Sequence, residues 1–216
     1  MFEWRFALEI FPALLRGFGV TVQAMLGGMS LALTLGLFWA IARRSRSAFI
    51  AWPATWSVEF IRSTPLLVQL YFLFYVLPNL GLTLSPFLTG VLALGVHYSA
   101  YTAEVYRAGI DGVPKGQWEA AIALNLSRFH TFRAIILPQA IPPILPALGN
   151  YVIAMFKDTP MLAAITVLEL LQTAKLIGAE TFRYLEPLTL VGLMFLGASL
   201  ASATLLRILE LRLANR

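Results

Sequence analysis

The sequence has no cysteine and only two histidines, His97 and His130, in 216 residues. Without thiols, disulfides and thiolate metal sites are excluded. The two histidines are far apart and lack a neighbouring carboxylate cluster, which argues against a zinc or di-iron centre. Charge is scarce as well: Asp, Glu, Lys and Arg make up 12% of the chain, against 59% hydrophobic residues. With a mean hydropathy of +0.77, this composition belongs to a membrane protein rather than a soluble domain. The net charge of +5 is modest and sorted along the chain, so it speaks of membrane sidedness and not of nucleic-acid binding. No G-x-x-x-x-G-K-[ST] phosphate loop occurs, so the chain offers no nucleotide site of that kind. A cleavable leader pattern is also missing, because Glu3, Arg5 and Glu9 interrupt the first apolar residues.

What is present reads as an all-α, polytopic fold with five membrane crossings in a single domain, residues 1–216. Residues 2–16, FEWRFALEIFPALLR, mix aromatics with Glu3, Arg5, Glu9 and Arg16, so 1–17 reads as an interfacial segment. From Phe18 to Ala42 no charge occurs, which is long enough to span about 30 Å of hydrocarbon. Gly27, Gly28 and Ser30 within it allow another helix to approach closely. Arg43, Arg44 and Arg46 follow at once, which puts that end in the cytoplasm and the N-terminus outside. The next apolar run, Pro65 to Pro78, covers only about 21 Å. Its helix is therefore expected to start near Ala54, with Pro65 as a kink, taking Glu59 and Arg62 into or near the membrane. Those two residues either line the bundle interior or form an ion pair near the cytoplasmic interface.

The third crossing runs from Pro86 to Ala108, with Glu104 and Arg107 spaced for an i,i+3 pair at its inner end. Tyr98, Ser99, Tyr101 and Thr102 give it a polar middle. His97 there either meets a solute or hydrogen-bonds a neighbouring helix, and we favour the second. Residues 139–156 and 160–172 are both apolar, separated by Lys157-Asp158-Thr159-Pro160. Two separate crossings would place Arg207, Arg212 and Arg216 outside, and the second piece is too short at about 20 Å. We therefore read one crossing, interrupted at 157–160. Pro160 cannot donate a backbone hydrogen bond, so a carbonyl near Phe156 is expected to lose its partner. Freed backbone at membrane depth needs protein or a water-filled cavity beside it, and broken helices recur at transport sites. Lys157 and Asp158 offer the opposite charges a zwitterionic solute requires, or else pair with each other. Lys175, Glu180, Arg183 and Glu186 then mark an outer end, and Pro187 to Leu206 returns to the cytoplasm.

Between the third and fourth crossings lies Glu119–Pro138, EAAIALNLSRFHTFRAIILP. Gln117 to Leu124 is a strong short helix, Asn125 tolerates a left-handed turn, and Ser127 can N-cap a second helix. That second helix carries Arg128 and Arg133 beside Phe129, Phe132 and Ile136. Such a hairpin is too polar for lipid and too apolar for water, so it needs a protein partner. Pro142, Pro143 and Pro146 then either fix a bent junction into the fourth crossing or simply mark a helix start.

The spacing Glu119-Ala120-Ala121, then Asn125, then Leu137-Pro138 resembles the EAA loop of bacterial ABC importer permeases, with Asn125 where that family usually has Gly. Glu59–Gln69, EFIRSTPLLVQ, is similar to the R-G-T-P-L-L-V-Q segment of the polar amino-acid uptake permeases, with Ser63 replacing Gly. Tyr98–Ile110 and Phe182–Leu190 resemble the ectoine/hydroxyectoine members. The resemblance implies a type I ABC importer permease, with 114–138 as its cytoplasmic coupling loop and Glu119, Ala120, Ala121, Asn125, Ser127, Leu137 and Pro138 as the ATPase-coupling residues. It implies a non-enzymatic subunit of the bacterial inner membrane that carries a small polar or zwitterionic solute, an amino acid or an ectoine-like compound. It further implies a separate ABC ATPase that binds ATP and Mg, a periplasmic or lipid-anchored solute-binding protein, and a second permease subunit, identical or related. No cofactor or metal is expected in this chain. The candidate path or gate residues are Glu59, Arg62, Thr64, Gln69, Tyr98, Lys157, Asp158 and Thr159. A passive channel would not need the hairpin, and a membrane-embedded enzyme would need a reactive constellation that two dispersed histidines do not supply.

Overall fold

The computed structural model describes residues 2–214. Arg216, used above to place the C-terminus, lies outside the described residues. In order, the helices are α1 (Trp4–Arg43), α2 (Ala48–Ser63), α3 (Leu66–Tyr71), α4 (Pro86–Asp111), α5 (Lys115–Ala123), the single turn α6 (Arg128–His130), α7 (Leu137–Asp158), α8 (Leu170–Thr181) and α9 (Leu185–Ala214). A π turn, Phe72–Val76, and a 3-10 turn, Leu77–Leu80, extend α3; a π turn, Thr131–Ile136, joins α6 to α7; and a 3-10 segment, Thr159–Ile165, extends α7. No strand occurs among the described residues. Trp4–Arg43, Arg128–Ile165 and Leu185–Arg212 are each long and apolar enough to cross a membrane, and α2 with the α3 segment to Leu80 forms a bent fourth. α4 has 26 residues and so spans about 39 Å. Its polar middle leaves it outside the three to four spans that are clear by length and apolarity among the described residues.

The bundle is organised by the close approach of α1 and α4. Ala24, Gly28, Ala32, Gly36 and Ala40 recur every fourth residue on α1 and are all buried, so they form one smooth stripe along a helix face. Against it α4 places Leu94, Gly95, Ser99 and Thr102. A Cβ built on Gly36 would lie 2.0 Å from Thr102 Oγ1 and 2.8 Å from the Ser99 carbonyl oxygen. At that contact Thr102 Oγ1 donates to the Ala32 carbonyl at 2.8 Å, and Trp39 Nε1 donates to Ser99 Oγ at 3.2 Å. Of the small residues read from the sequence, Gly28 lies in this seam against Leu94, Gly27 faces Val91, and Ser30 turns outward to bond its own helix.

Three expectations are corrected. Residues 1–17 are not a separate interfacial segment: from Trp4 they are the first turns of one unbroken 40-residue helix, about 60 Å long. Pro12 does not break it, and Ala7, Ile10 and Leu14 are buried. The buried face holds these turns in register with the rest of the bundle, whatever their charged face meets. Second, Pro65 marks more than a kink, because α2 and α3 meet at 104°. Thr64 is extended at φ −110° and ψ 135°, the conformation forced on a residue before proline. Third, the fourth crossing does not break at 157–160. It tightens there into a 3-10 segment and ends at Thr166, which is left-handed at φ +65°. The chain then turns, and the buried Glu169 caps α8 through the N–H groups of Leu171 and Gln172 at 2.9 and 2.7 Å.

Replacing Gly36 with Ala is expected to force α1 and α4 apart and destabilise the fold by about 1–3 kcal/mol. A drop of several degrees in the melting temperature of the detergent-solubilised chain would report it; an unchanged melting temperature would mean that the seam is looser than the contact distances state.

Candidate functional site

The side chains that sequence reading marked as a path divide into three places. At one, Asp158, the last residue of α7, accepts a hydrogen bond from the Tyr98 hydroxyl of α4 at 2.7 Å. Around this pair stand Tyr101, Tyr151 and His97, with ring centroids 5.7 Å apart for Tyr101 and Tyr151 and 5.2 Å for His97 and Tyr101. The result is a carboxylate with three phenolic rings beside the point where the fourth crossing changes its helix type. Tyr151 escaped sequence reading. Its signal was present, because positions 151 and 158 are two turns apart and share a helix face. Tyr101 likewise sits one turn beyond Tyr98.

Lys157 does not join that site. It is exposed, and no ion pair links it to Asp158 among the described residues, so the self-paired alternative fails for both residues. Thr159 is fully buried and donates from Oγ1 to the Phe156 carbonyl at 2.7 Å. Pro160 removes this carbonyl's usual donor four residues on, and the Thr159 N–H reaches it as well in the tightened turn. Thr159 thus satisfies the interruption, and neither a solute nor water is needed there.

Thr64 and Gln69 form the second place, a staple across the α2–α3 elbow. Gln69 Nε2 donates to the Ile61 carbonyl at 2.8 Å, to Thr64 Oγ1 at 2.6 Å and to the Thr64 carbonyl at 3.2 Å. Its Oε1 faces His97 Nδ1 at 3.2 Å. His97 therefore bonds a neighbouring helix, as favoured from the sequence, and the amide ties the elbow to the tyrosine cluster. The bend exposes carbonyls that no helix can satisfy, and one amide meets them. A cavity of about 360 Å³ opens on the outer side of this elbow. Thr64 and Gln69 are part of its wall, but their polar atoms bond within the elbow, and Phe60, Val68, Phe72 and Leu73 leave the lining too apolar to hold a polar solute.

Glu59 and Arg62 lie at a third place, an ion-pair network at the Arg43 end of α1. Arg43 bonds Glu104 at 2.5 Å, Arg107 bonds Glu104 at 2.7 Å, and Arg62 lies 3.4 Å from Glu104 and 3.7 Å from Glu59. Arg44 pairs with Asp111, which Arg107 also reaches at 3.3 Å. The interior reading of Glu59 and Arg62 is thus corrected to the ion-pair one: the sharp elbow keeps α2 at the charged end of the bundle, where the charges have partners and partial solvent. Arg62 still touches the first site from below, its guanidinium 5.7 Å from the Tyr101 ring centroid.

Just beyond Asp111 the hairpin forms as read. α5 closes with Asn125 at φ +53°, and the N–H groups of Asn125 and Leu126 reach the carbonyls of Ile122 and Ala121 at 2.9 and 3.0 Å. This is the Schellman pattern, and asparagine fills the left-handed position where glycine is commonest. Ser127 Oγ then accepts from the His130 N–H at 3.2 Å, as an N-cap does. Trp118 meets Phe132 edge-on at 5.6 Å and holds the arms together. The second arm does not end at Leu137-Pro138 but runs through the π turn directly into α7, so hairpin and crossing are one continuous rod. Glu119 and Ala120 are exposed, while Ala121 is buried under the turn. Ile122, Leu124 and Phe129 are 78%, 71% and 72% exposed. The knuckle therefore presents apolar side chains that nothing among the described residues covers.

The profile of a family described as "Binding-protein-dependent transport system inner membrane component" matches residues 32–215. A protein of Sinorhizobium fredii named "Probable amino-acid ABC transporter permease protein y4tG" is 49% identical over 99% of this chain and 93% of its own length. The Bacillus subtilis "Probable amino-acid ABC transporter permease protein YckA" is 37% identical over 100% of this chain and 95% of its own. Among solved structures, one titled "Crystal structure of an amino acid ABC transporter with histidines" superposes with a TM-score of 0.94 at 34% identity, covering 98% of this chain and 99% of that one.

Exchanging Gln69 for Leu removes the amide from the Thr64 carbonyl, the Thr64 hydroxyl and His97, while the Ile61 carbonyl keeps the Thr64 N–H and Oγ1. The expected loss is about 1–2 kcal/mol of stability, read as a lowered melting temperature. Gln69→Glu, which removes the donors but keeps an acceptor, should lose nearly as much; if both variants melt like the wild type, the elbow is held by something other than this amide.

Proposed function

The chain belongs to the family of binding-protein-dependent transport system inner membrane components, and from that premise we propose that it is the permease subunit of an ABC importer for small amino acids. A separate subunit hydrolyses ATP with Mg, and a solute-binding protein delivers the cargo. The permease contributes a path, a gate and a lever, and its own residues perform no covalent chemistry. The relatives' names support an amino acid as solute, and an ectoine-like zwitterion is the competing cargo. The observation that carries this reading is the Tyr98–Asp158 pair, a carboxylate held among aromatic rings at the end of the α7 rod.

The mechanism follows from what is rigidly connected to what. An ATPase grips the uncovered apolar knuckle around Ile122, Leu124 and Phe129, with Glu119, Ala120 and Ala121 forming the first arm, Asn125 and Ser127 the turn, and Leu137 and Pro138 the start of α7. Because the second arm continues into α7, movement of the knuckle is delivered to Asp158 at the far end of the same rod. An ammonium group of the solute exchanges with the Tyr98 hydroxyl for Asp158, so the carboxylate is never left bare at depth. Tyr101 and Tyr151 offer their ring faces to the same cation. Arg43, Arg44 and Arg46 belong on the cytoplasmic side by the positive-inside rule, with the N-terminus outside and the C-terminus inside the cell. A second permease subunit, identical or related, completes the pathway.

Asp158→Asn is expected to reduce amino-acid uptake about tenfold or more, the effect of losing one charge-assisted bond, while the ATPase still copurifies. Unaltered uptake kinetics would take Asp158 out of the path. Competition by a panel of amino acids and ectoines in the same vesicles identifies the cargo class. Glu119→Lys is expected to abolish ATPase copurification without lowering the melting temperature, since Glu119 is exposed and its side chain makes no hydrogen bond or ion pair among the described residues; retention of a full complement of ATPase would sink the lever.

A further inference from the structure

At the end of the molecule opposite the hairpin, α8 stops at Thr181 and α9 starts at Leu185, and the turn between them is anchored from nearly every side. Arg183 donates to Glu3 at 2.6 Å and also to Glu186. Glu186 is only 2% exposed and accepts the backbone N–H of Glu3 at 3.0 Å as well. These hydrogen bonds to Glu186 and Glu3 hold the Arg183 guanidinium above its ordinary pKa. The same guanidinium lies 4.4 Å from the Phe6 ring centroid. Thr181 Oγ1 ties back to the Ile177 carbonyl at 2.6 Å. The Tyr184 ring packs on Gly178, where a Cβ would come within 2.5 Å of it.

Phe182 sits in the middle of this rigid turn and is left 89% exposed. It also adopts the left-handed conformation, with φ +55°. For a bulky side chain that is a genuine outlier, and glycine would end α8 there without strain. The ring is therefore not what terminates the helix. The turn holds a strained residue so that an aromatic side chain projects from a fixed base.

We propose that Phe182 is a docking anchor for the soluble solute-binding protein of the uptake system, an inference that rests on the permease reading and on its orientation. The family is defined by dependence on a binding protein. Such a partner must approach the face opposite the hairpin, because the hairpin end, marked by the Arg44–Asp111 pair, is given to the ATPase. An aromatic ring fixed in advance on a rigid turn is the kind of anchor that dominates protein interfaces, since little freedom is lost when it enters a pocket. A lipid-facing role fits less well. Rings at headgroup level favour Trp and Tyr, whose polar tips remain wet, and lipid contact requires no left-handed backbone.

The test uses the assembled complex in proteoliposomes and follows ATP hydrolysis against the concentration of the cognate binding protein, identified as the one that stimulates the wild type. Phe182→Ala and Phe182→Gly should each raise the half-saturating concentration about tenfold or more, with the rate at saturation unchanged. Phe182→Gly should also melt at or above the wild-type temperature, because the strain is relieved, and Phe182→Tyr should dock like the wild type. If both Ala and Gly variants respond at wild-type concentrations, Phe182 is a lipid-facing residue and the docking proposal is overturned. If the wild-type complex answers to no solute-loaded binding protein, the permease reading itself falls and takes the docking with it.

Discussion

The α1–α4 seam is the constraint on which the rest of the structure depends. Lipid offers no hydrophobic driving force for helices to associate, so contact must come from close fit and from hydrogen bonds between helices. A stripe of glycine and alanine brings the two backbones near enough for Thr102 to reach the Ala32 carbonyl. With α4 fixed in this way, Tyr98 and His97 point at α7 and α3 from a rigid base. The Arg43–Glu104 pair then sets the charged end of the bundle. Tyr98, and through it the Asp158 contact, takes its position from this seam.

Local breaks in helix geometry recur throughout, and each is satisfied by a named side chain. Gln69 meets the carbonyls freed at the elbow, Thr159 meets the one freed by Pro160, Glu169 caps α8, and Ser127 caps the second arm of the hairpin. Unmet backbone groups at membrane depth cost several kcal/mol each, on the order of the stability of the whole fold. A chain that carries elbows and 3-10 turns inside a membrane must therefore supply polar side chains at those positions. Several residues that looked like solute contacts are there for this reason. Of the candidate path residues, Asp158 with its tyrosines is the one not claimed by the backbone or by an ion pair.

The unbroken run from Arg128 through Ile165 joins the apolar knuckle to Asp158 without an intervening loop, the stiff connection that the proposed coupling calls for. The π turn at Thr131–Ile136 precedes Pro138, whose missing N–H would otherwise leave a gap in the ladder.

The membrane class, the all-helical polytopic fold, the hairpin with its left-handed Asn125 and Ser127 cap, and the i,i+3 pair of Glu104 and Arg107 were all legible in the sequence. These depend on composition, on spacing along one helix or on the chemistry of single residues, and such information is local. The continuity of α1, the right-angled elbow after Ser63 and the shift of the break from 157–160 to Thr166 were not legible. Nor were the separation of Lys157 from Asp158 and the recruitment of Tyr151. Each of these is settled by which helix lies against which, because a buried face can carry a charged segment onward. In the same way, a partner on another helix decides whether a polar side chain serves a solute or merely completes the backbone.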